Sequence, residues 1–321
     1  MRRKVVFISA QPDQSYFHWQ VEVMLHNFIK NGINPNWIEI LFGYGDSPSV
    51  EGLDLAKRYP MVRFFFYKRS ILDNKGYIPI IRPDILYQHF TKFPELRGET
   101  VFYHDSDIIF RELPDFDSMN QDMYWYLSDT VSYIGAEYIK SKSDDIFIDM
   151  CSLVKISPEV VESNQENSGG AQYLMKGVTA DFWRGVIDDT LTLYSYMAAR
   201  ESQDRSNLSP DEIASFNPIQ KWCADMWAVL WGAWKFGAQT VVTPELDFSW
   251  GTSDLMTYNR CKIMHNAGVT DELKTTHFYK ADFRFTHPFD EDFSKVNKNS
   301  ASSKYVEAIM YAREARSKLL T

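Results

Sequence analysis

The stretch Glu99-Thr-Val-Phe-Tyr-His-Asp-Ser-Asp-Ile-Ile-Phe110 decides how the rest of the chain is read. Val101 to Tyr103 is an apolar run of the kind that forms a buried strand. It leads into two carboxylates, Asp105 and Asp107, before Ile108-Ile109-Phe110 turns apolar again. In an extended segment residues i and i+2 point the same way, so the spacing predicts that both acids face one spot. Two unpaired acids beside a hydrophobic strand repel each other and are costly to bury. A divalent cation removes that cost, and hard oxygen ligands suit manganese or magnesium. In an open α/β sheet such a site lies beyond the carboxyl ends of the strands. A turn carrying two solvated acids is the other reading of a lone Asp-x-Asp, so its surroundings must decide.

Those surroundings read as alternating strands and helices. Lys4 to Ser9 is a first strand, broken at Gln11-Pro12-Asp13, and Tyr16 to Lys30 carries apolar residues at helical spacing. Gly32 supplies the stop. Trp37 to Phe42 and Val62 to Tyr67 are the next strands, with a short helix at Leu53 to Tyr59 between them. Pro83 suits the first turn of a helix over Asp84 to Phe93, which leads into the acidic stretch. Such alternation starts a doubly wound α/β sheet in parallel order. Beyond it, Met123 to Leu127 reads as a strand, and Asp181 to Ala199 and the Trp-rich Ile219 to Phe236 read as helices. Glu201 to Asn217, rich in Ser, Asp, Asn and Pro, reads as a surface loop. The expected division is a main domain over 1–294 and a basic, helical C-terminal tail over 295–321.

Composition bounds the function. At 321 residues, 45% hydrophobic and 24% charged, the chain is long enough for one sizeable core. A net charge of −9 argues against a general nucleic-acid binder. The segment from Lys295 onward runs the other way, with six Lys or Arg against two Glu. It reads as a solvated helix or as a docking face for an anionic acceptor. Three scattered cysteines lack metal-ligand spacing and read as reduced thiols. No apolar run is long enough for a membrane span or a signal segment, which points to a cytoplasmic protein.

Several motifs together resemble the GT-A class of nucleotide-sugar glycosyltransferases. The nearest group is that of the hydroxyproline arabinosyltransferases and peptidyl-serine galactosyltransferases. Ser9-Ala10 followed by Tyr16-Phe-His-Trp-Gln20 resembles the group's first strand and helix start, and Arg82-Pro83 resembles its R-P element. Asp105-Ser-Asp107 takes the place of its metal-binding acidic tripeptide. Trp222-Cys-Ala-Asp225-Met226 resembles its W-x-x-E-M helix, with Asp for Glu, and His265-Asn-Ala-Gly268 resembles the late histidine of GT-A metal sites. Order and spacing hold from about residue 5 to residue 285. The chain also looks like soluble bacteriophage versions, in which Ser168-Gly-Gly-Ala-Gln172 recurs. The resemblance implies a GT-A, Rossmann-like mixed sheet flanked by helices, a UDP-sugar donor and a manganese or magnesium ion. Its phage side implies 5-hydroxymethylcytosine in viral DNA as acceptor, met through the C-terminal tail. A protein Ser or hydroxyproline, or a glycan hydroxyl, is the alternative.

Within that frame the candidates take roles. Asp105, Asp107 and His265 would hold the metal, a neutral imidazole completing the acids. His104, pointing away from Asp105 on a strand, reads as structural. Arg82 and Lys280 are candidates to hold the phosphates and sugar. Asp225, on a helix with Trp222, Met226 and Trp227 around it, is the candidate base, since burying a carboxylate raises its pKa. Its alternative is a purely structural ion pair. Ser9, Ala10 and Gln11 end the first strand and are placed to hold the nucleotide base. Gly169 and Gly170 permit close backbone approach to a ligand, although an ordinary turn fits as well. Gln172 would then hydrogen-bond sugar hydroxyls. Two rival classes remain: a carboxylate-based phosphodiesterase, which wants more converging acids, and a non-catalytic nucleotide-sugar-binding protein.

Overall fold

The computed structural model describes residues 4–70 and 76–319. The basic tip Met1-Arg-Arg3 lies outside them. Strands β1 (Val5–Pro12), β2 (Ile38–Tyr44), β3 (Arg63–Lys68) and β4 (Thr100–Tyr103) run parallel. The helices α1 (Ser15–Lys30), α2 (Val50–Arg58) and α3 (Ile81–Lys92) cross over between them. After β5 (Ile108–Phe110) and β6 (Trp125–Asp129), β7 (Gly169–Lys176) inserts antiparallel between β4 and β6, and β8 (Thr240–Val242) closes the edge. The seven-stranded order is β3-β2-β1-β4-β7-β6-β8. The chain winds one way from β1 to β3 and then returns to the other side of β1 at β4. The crevice beyond the ends of β1 and β4 is therefore the switch point, where ligands enter such sheets.

Alternation along the strands sorts side chains to two faces. Val6 and Ile8 of β1 and Val101 and Tyr103 of β4 face one core, shared with α3 and the helices Ala180–Ser206 and Ala224–Lys235. Phe7 and Phe102 face the other, with Phe28 of α1. A second, smaller sheet has the order β5-β10-β9, from β9 (Phe248–Trp250) and β10 (Ile263–His265). The C-terminal helix Ala301–Leu319 lies across it and α1, burying Ala301, Tyr305, Ile309 and Ala312 against Trp19, Val23, Ile109 and Met264. The basic segment is thus packed onto the main body through an apolar face.

Three local expectations need correction. β1 does not break at Gln11; it continues to Pro12, which pairs with Gly43. The stretch from Glu201 is not a loop throughout: the preceding helix runs to Ser206, and Pro210–Ser215 forms a short helix with a Ser209–Glu212 capping box. Its polar residues are a solvated helix face, supported by the i,i+4 pairs Arg200–Asp204 and Glu201–Arg205. The Trp-rich helix starts at Ala224, after a separate 3-10 turn at Lys221–Cys223. All three cysteines are free and buried, as expected. Among the described residues no helix is long and apolar enough to cross a membrane.

The glycine pair separates into two different constraints. A Cβ on Gly169 would collide with Leu127 Cβ and sit 2.6 Å from the Ser128 carbonyl oxygen, on the paired strand β6. A Cβ on Gly170 would meet Met226 Cε, the end of a flexible side chain, at 2.7 Å. Gly169→Ala should therefore destabilise by about 1–3 kcal/mol through overpacking, seen as a lower urea midpoint at unchanged slope. Gly170→Ala should cost less, and equal losses in the two variants would refute this account.

Candidate active site

The two acids converge, though not as alternating residues of a strand. β4 ends at Tyr103, and Asp105 to Asp107 form a tight turn into β5, which belongs to the other sheet. β10 runs antiparallel to β5 with His265 opposite Ile108, and the Asn266 N–H donates to the Asp107 carbonyl at 2.9 Å. That register is why a histidine so distant in sequence meets the acids. His265 Nε2 lies 3.2 Å from Asp107 Oδ1 and 3.6 Å from Asp105 Oδ2. One ligand atom from each of the three falls within 4.8 Å of the others, a span a single cation can bridge.

The imidazole is held from behind. Its Nδ1 lies 3.4 Å from the side-chain amide of Gln172. Ser128 Oγ lies 2.6 Å from that same amide and 2.7 Å from the Leu246 carbonyl, and a hydroxyl has only one proton to give. Ser128 Oγ donates to the Gln172 side-chain oxygen, and the Gln172 NH2 group faces His265 Nδ1. With Nδ1 turned to Gln172, Nε2 is the ring nitrogen directed at the acids. Gln172, expected to meet sugar hydroxyls, is fully buried, does not line the cavity and faces His265 instead.

Cations balance the acids. The Lys280 amine pairs with Asp107. The Arg82 guanidinium forks, one nitrogen 2.5 Å from Asp105 and the other 2.7 Å from Asp225. Burial alone would raise the Asp107 pKa, but Lys280 and His265 outweigh it and hold the carboxyl well below its usual range. Burial opposes the charge on Arg82 as well, and Asp225 and Asp105 overcome it, so the guanidinium stays charged. At Asp225 burial wins. Its pKa is raised despite Arg82 and the Tyr77 hydroxyl, which lies 2.9 Å from Oδ1. His104 is buried outside the cavity lining: burial pushes its pKa down to about 4, and its Nδ1 lies 2.9 Å from the Asp105 carbonyl.

These groups border a cavity of about 330 Å³ at the switch point. Asp105, Asp107, His265, Arg82, Lys280 and Asp225 all line it, as do Ala10 and Gln11 from the end of β1. Ser9 does not. It lies beneath, its hydroxyl 2.8 Å from Gln11 Oε1, while Gln11 Nε2 donates to the Leu41 carbonyl at 3.1 Å. Gly169 and Gly170 do not line it either; they let β6 and Met226 approach. Their neighbour Ala171 reaches the cavity in a left-handed conformation, φ 64°. Sequence reasoning passed over Tyr77, which anchors Asp225, and Tyr133 and Trp250 in the cavity lining. The Trp250 ring stacks on His265 with planes 16° apart. No motif signals those aromatics.

No family model matches the sequence, and no curated protein matches it. Among solved structures it is similar to the bifunctional glycosyltransferase WbbM, at 10% identity and a TM-score of 0.50. The match covers 100% of this chain and 52% of that one, so the chain spans about half of its length. It is also similar to the galactosyltransferase LgtC in complex with donor and acceptor sugar analogues, at 11% identity, TM-score 0.43 and coverages of 95% and 94%. Mouse xyloside xylosyltransferase 1 matches at 10% identity, TM-score 0.37 and coverages of 82% and 97%. The fold is that of the GT-A glycosyltransferases, a mixed sheet flanked by helices with a C-terminal helix.

If Gln172 orients the His265 ring, Gln172→Leu should weaken metal binding about 10- to 100-fold with the cavity otherwise unchanged. A manganese titration followed by thermal shift in the presence of UDP measures this. An unaltered midpoint would make Gln172 a packing residue only.

Proposed function

We propose that the protein is a metal-dependent glycosyltransferase that moves a sugar from a UDP-sugar to a hydroxyl acceptor. The observation that carries this reading is the Asp105–Asp107–His265 cluster at the switch-point cavity of a GT-A fold. Manganese or magnesium held there would act as a Lewis acid toward the leaving diphosphate. The set suits such an ion: two carboxylates and an imidazole whose second nitrogen is already engaged. Ala10 and Gln11 border the cavity where a nucleotide would enter, and Lys280 and Arg82 present donors to its phosphates and sugar. Asp225 is assigned as the base. In the transfer, the acceptor oxygen bonds to the anomeric carbon as the bond from that carbon to the diphosphate oxygen breaks. The electron pair leaves with UDP, and the acceptor proton passes to Asp225. Arg82 and Tyr77 hold the carboxylate in one orientation for it.

Of the acceptors raised by the sequence, a hydroxyl on a neutral molecule is better supported than 5-hydroxymethylcytosine in DNA. The tail expected to meet phosphates is engaged in the fold. Arg316 lies over the Phe289 ring and 3.8 Å from Glu22, and Arg313 donates to the Phe289 carbonyl. None of the described tail residues lines the cavity, and the Lys318 side chain lies outside the described residues. The phosphodiesterase reading is weaker too, since the described residues hold one acidic metal cluster rather than two. Three buried, unpaired thiols favour a reducing cytoplasm.

Four outcomes test this reading. UDP should raise the melting temperature far more with manganese than with chelator, because binding to the native state alone stabilises it. A UDP shift indifferent to chelator would remove the metal. Asp225→Asn should lower transfer by about 10²- to 10⁴-fold while UDP still binds. The base acts only when ionised, so wild-type transfer should decline as pH falls through the Asp225 pKa. Because that pKa is raised, the decline should begin above the ordinary carboxylate range. An acid limb that persists unchanged in Asp225→Asn would place the base elsewhere. Hydrolysis of UDP-sugars with manganese separates the enzyme from a non-catalytic binder.

A further inference from the structure

Resting on that glycosyltransferase reading, we propose that Trp222 is the acceptor platform and that the acceptor is a neutral pyranoside, stacked by its C–H face on the indole. Trp222 is 55% exposed although it lines the cavity. It stands on the one-turn Lys221–Cys223 segment next to buried Cys223, and its own carbonyl lies 2.9 Å from the Tyr77 hydroxyl. Tyr77 in turn stacks on Tyr194 with ring centroids 4.3 Å apart. The indole is therefore presented to solvent from a fixed base.

Its spacing from the candidate base matters most. Asp225, Met226 and Val229 line the cavity from the helix Ala224–Lys235, and Trp222 lines it from the 3-10 turn just before that helix. The Tyr77 hydroxyl lies 2.9 Å from both the Trp222 carbonyl and Asp225 Oδ1, so the indole's backbone and the carboxylate are fixed to one point. A ring laid on Trp222 thus brings an edge hydroxyl to the Asp225 carboxylate. Ile78, 47% exposed, and Pro79 follow Tyr77 directly and extend the apolar lip. Such a lip suits a flat ring with apolar faces and a hydroxyl-bearing edge.

Charge selects among flat rings. A hydroxymethylated base in DNA brings phosphodiesters that need cations. Among the described residues the only basic side chains lining the cavity are Arg82 and Lys280, and both are paired with carboxylates. A neutral sugar asks for no counter-charge. It needs an aromatic face and a proton acceptor, and both are present three residues apart.

The test uses the full chain with UDP and manganese. Methyl pyranosides (gluco, galacto, N-acetylglucosamine) are titrated while indole fluorescence is followed, and transfer from UDP-sugars is measured in parallel. The proposal expects a saturable fluorescence change that Trp222→Phe removes. It also expects Trp222→Ala to raise the acceptor KM by about tenfold or more, with a smaller change in kcat, and Trp222→Phe to recover much of that loss. The UDP-dependent thermal shift reports that each variant is folded and, in the wild type, tests the donor reading separately. A shift without pyranoside binding overturns the platform and leaves the donor reading standing. Transfer to hydroxymethylated oligonucleotide or to a serine peptide, with none to any pyranoside, overturns it as well. So does an acceptor KM unchanged in Trp222→Ala.

Discussion

The arrangement depends on one constraint: three carboxylates, Asp105, Asp107 and Asp225, are drawn into a largely apolar crevice and must be compensated there. The compensation comes from elements that have no other reason to meet. Arg82 from the first turn of α3 joins Asp105 to Asp225, so it ties the β4–β5 turn to the helix Ala224–Lys235. Lys280, from the segment after β10, closes on Asp107. Each cation is itself costly to bury alone, so the set stands as a unit: deleting one member leaves a charge without its partner. The same reciprocity prepares the site for chemistry. Asp107, held ionised by Lys280 and His265, is already in the form that a metal binds, and a donor phosphate offers the neighbouring cations an alternative partner.

The sheet supplies the place where this balance is struck. The reversal between β1 and β4 opens a crevice that neither crossover helix covers, and the Asp105–Asp107 turn crosses it on the way to the small sheet. Antiparallel pairing of β5 with β10 then delivers His265, and β7 brings Gln172 up behind the imidazole. The proposed donor groups and the proposed acceptor platform enter from different sides of the chain's winding order. The former come from β1, α3 and the late loops, the latter from the Lys221–Cys223 turn.

Legibility in the sequence followed the physics of each signal. Buried parallel strands carry long apolar runs, so β1 to β4 were readable to within a few residues. Two acids inside such a run are conspicuous because they are expensive, and a metal's demand for oxygen and imidazole narrows the partners to a few. Roles that depend on geometry behind the site were not readable. Gln172 looks like a sugar contact until its burial and its approach to His265 are seen, and Ser9 looks like a nucleotide-base contact until its bond to Gln11 is found. Gly169 is required by a neighbouring strand rather than by a ligand. The stretch after Glu201 misled because a helix with polar residues on nearly every face has the composition of a loop. Among four tryptophans between residues 222 and 234, only the start of the α-helix decides that the first stands in solvent while Trp227 and Trp231 are buried.

The late helix Ala301–Leu319 has a bearing on biosynthesis. A ribosome that has released the chain up to about residue 250 has delivered every strand of the seven-stranded sheet and both acids of the turn. It has delivered neither His265 nor Lys280, nor the Tyr305 ring that packs with Ile109 and Met264. Domains gain their structure as they emerge, and contacts distant in sequence form last. The nascent chain therefore passes through an interval in which two acids face each other with most of their counter-charges still inside the ribosome. The centre is complete only once His265, Lys280 and the helix that follows them have emerged.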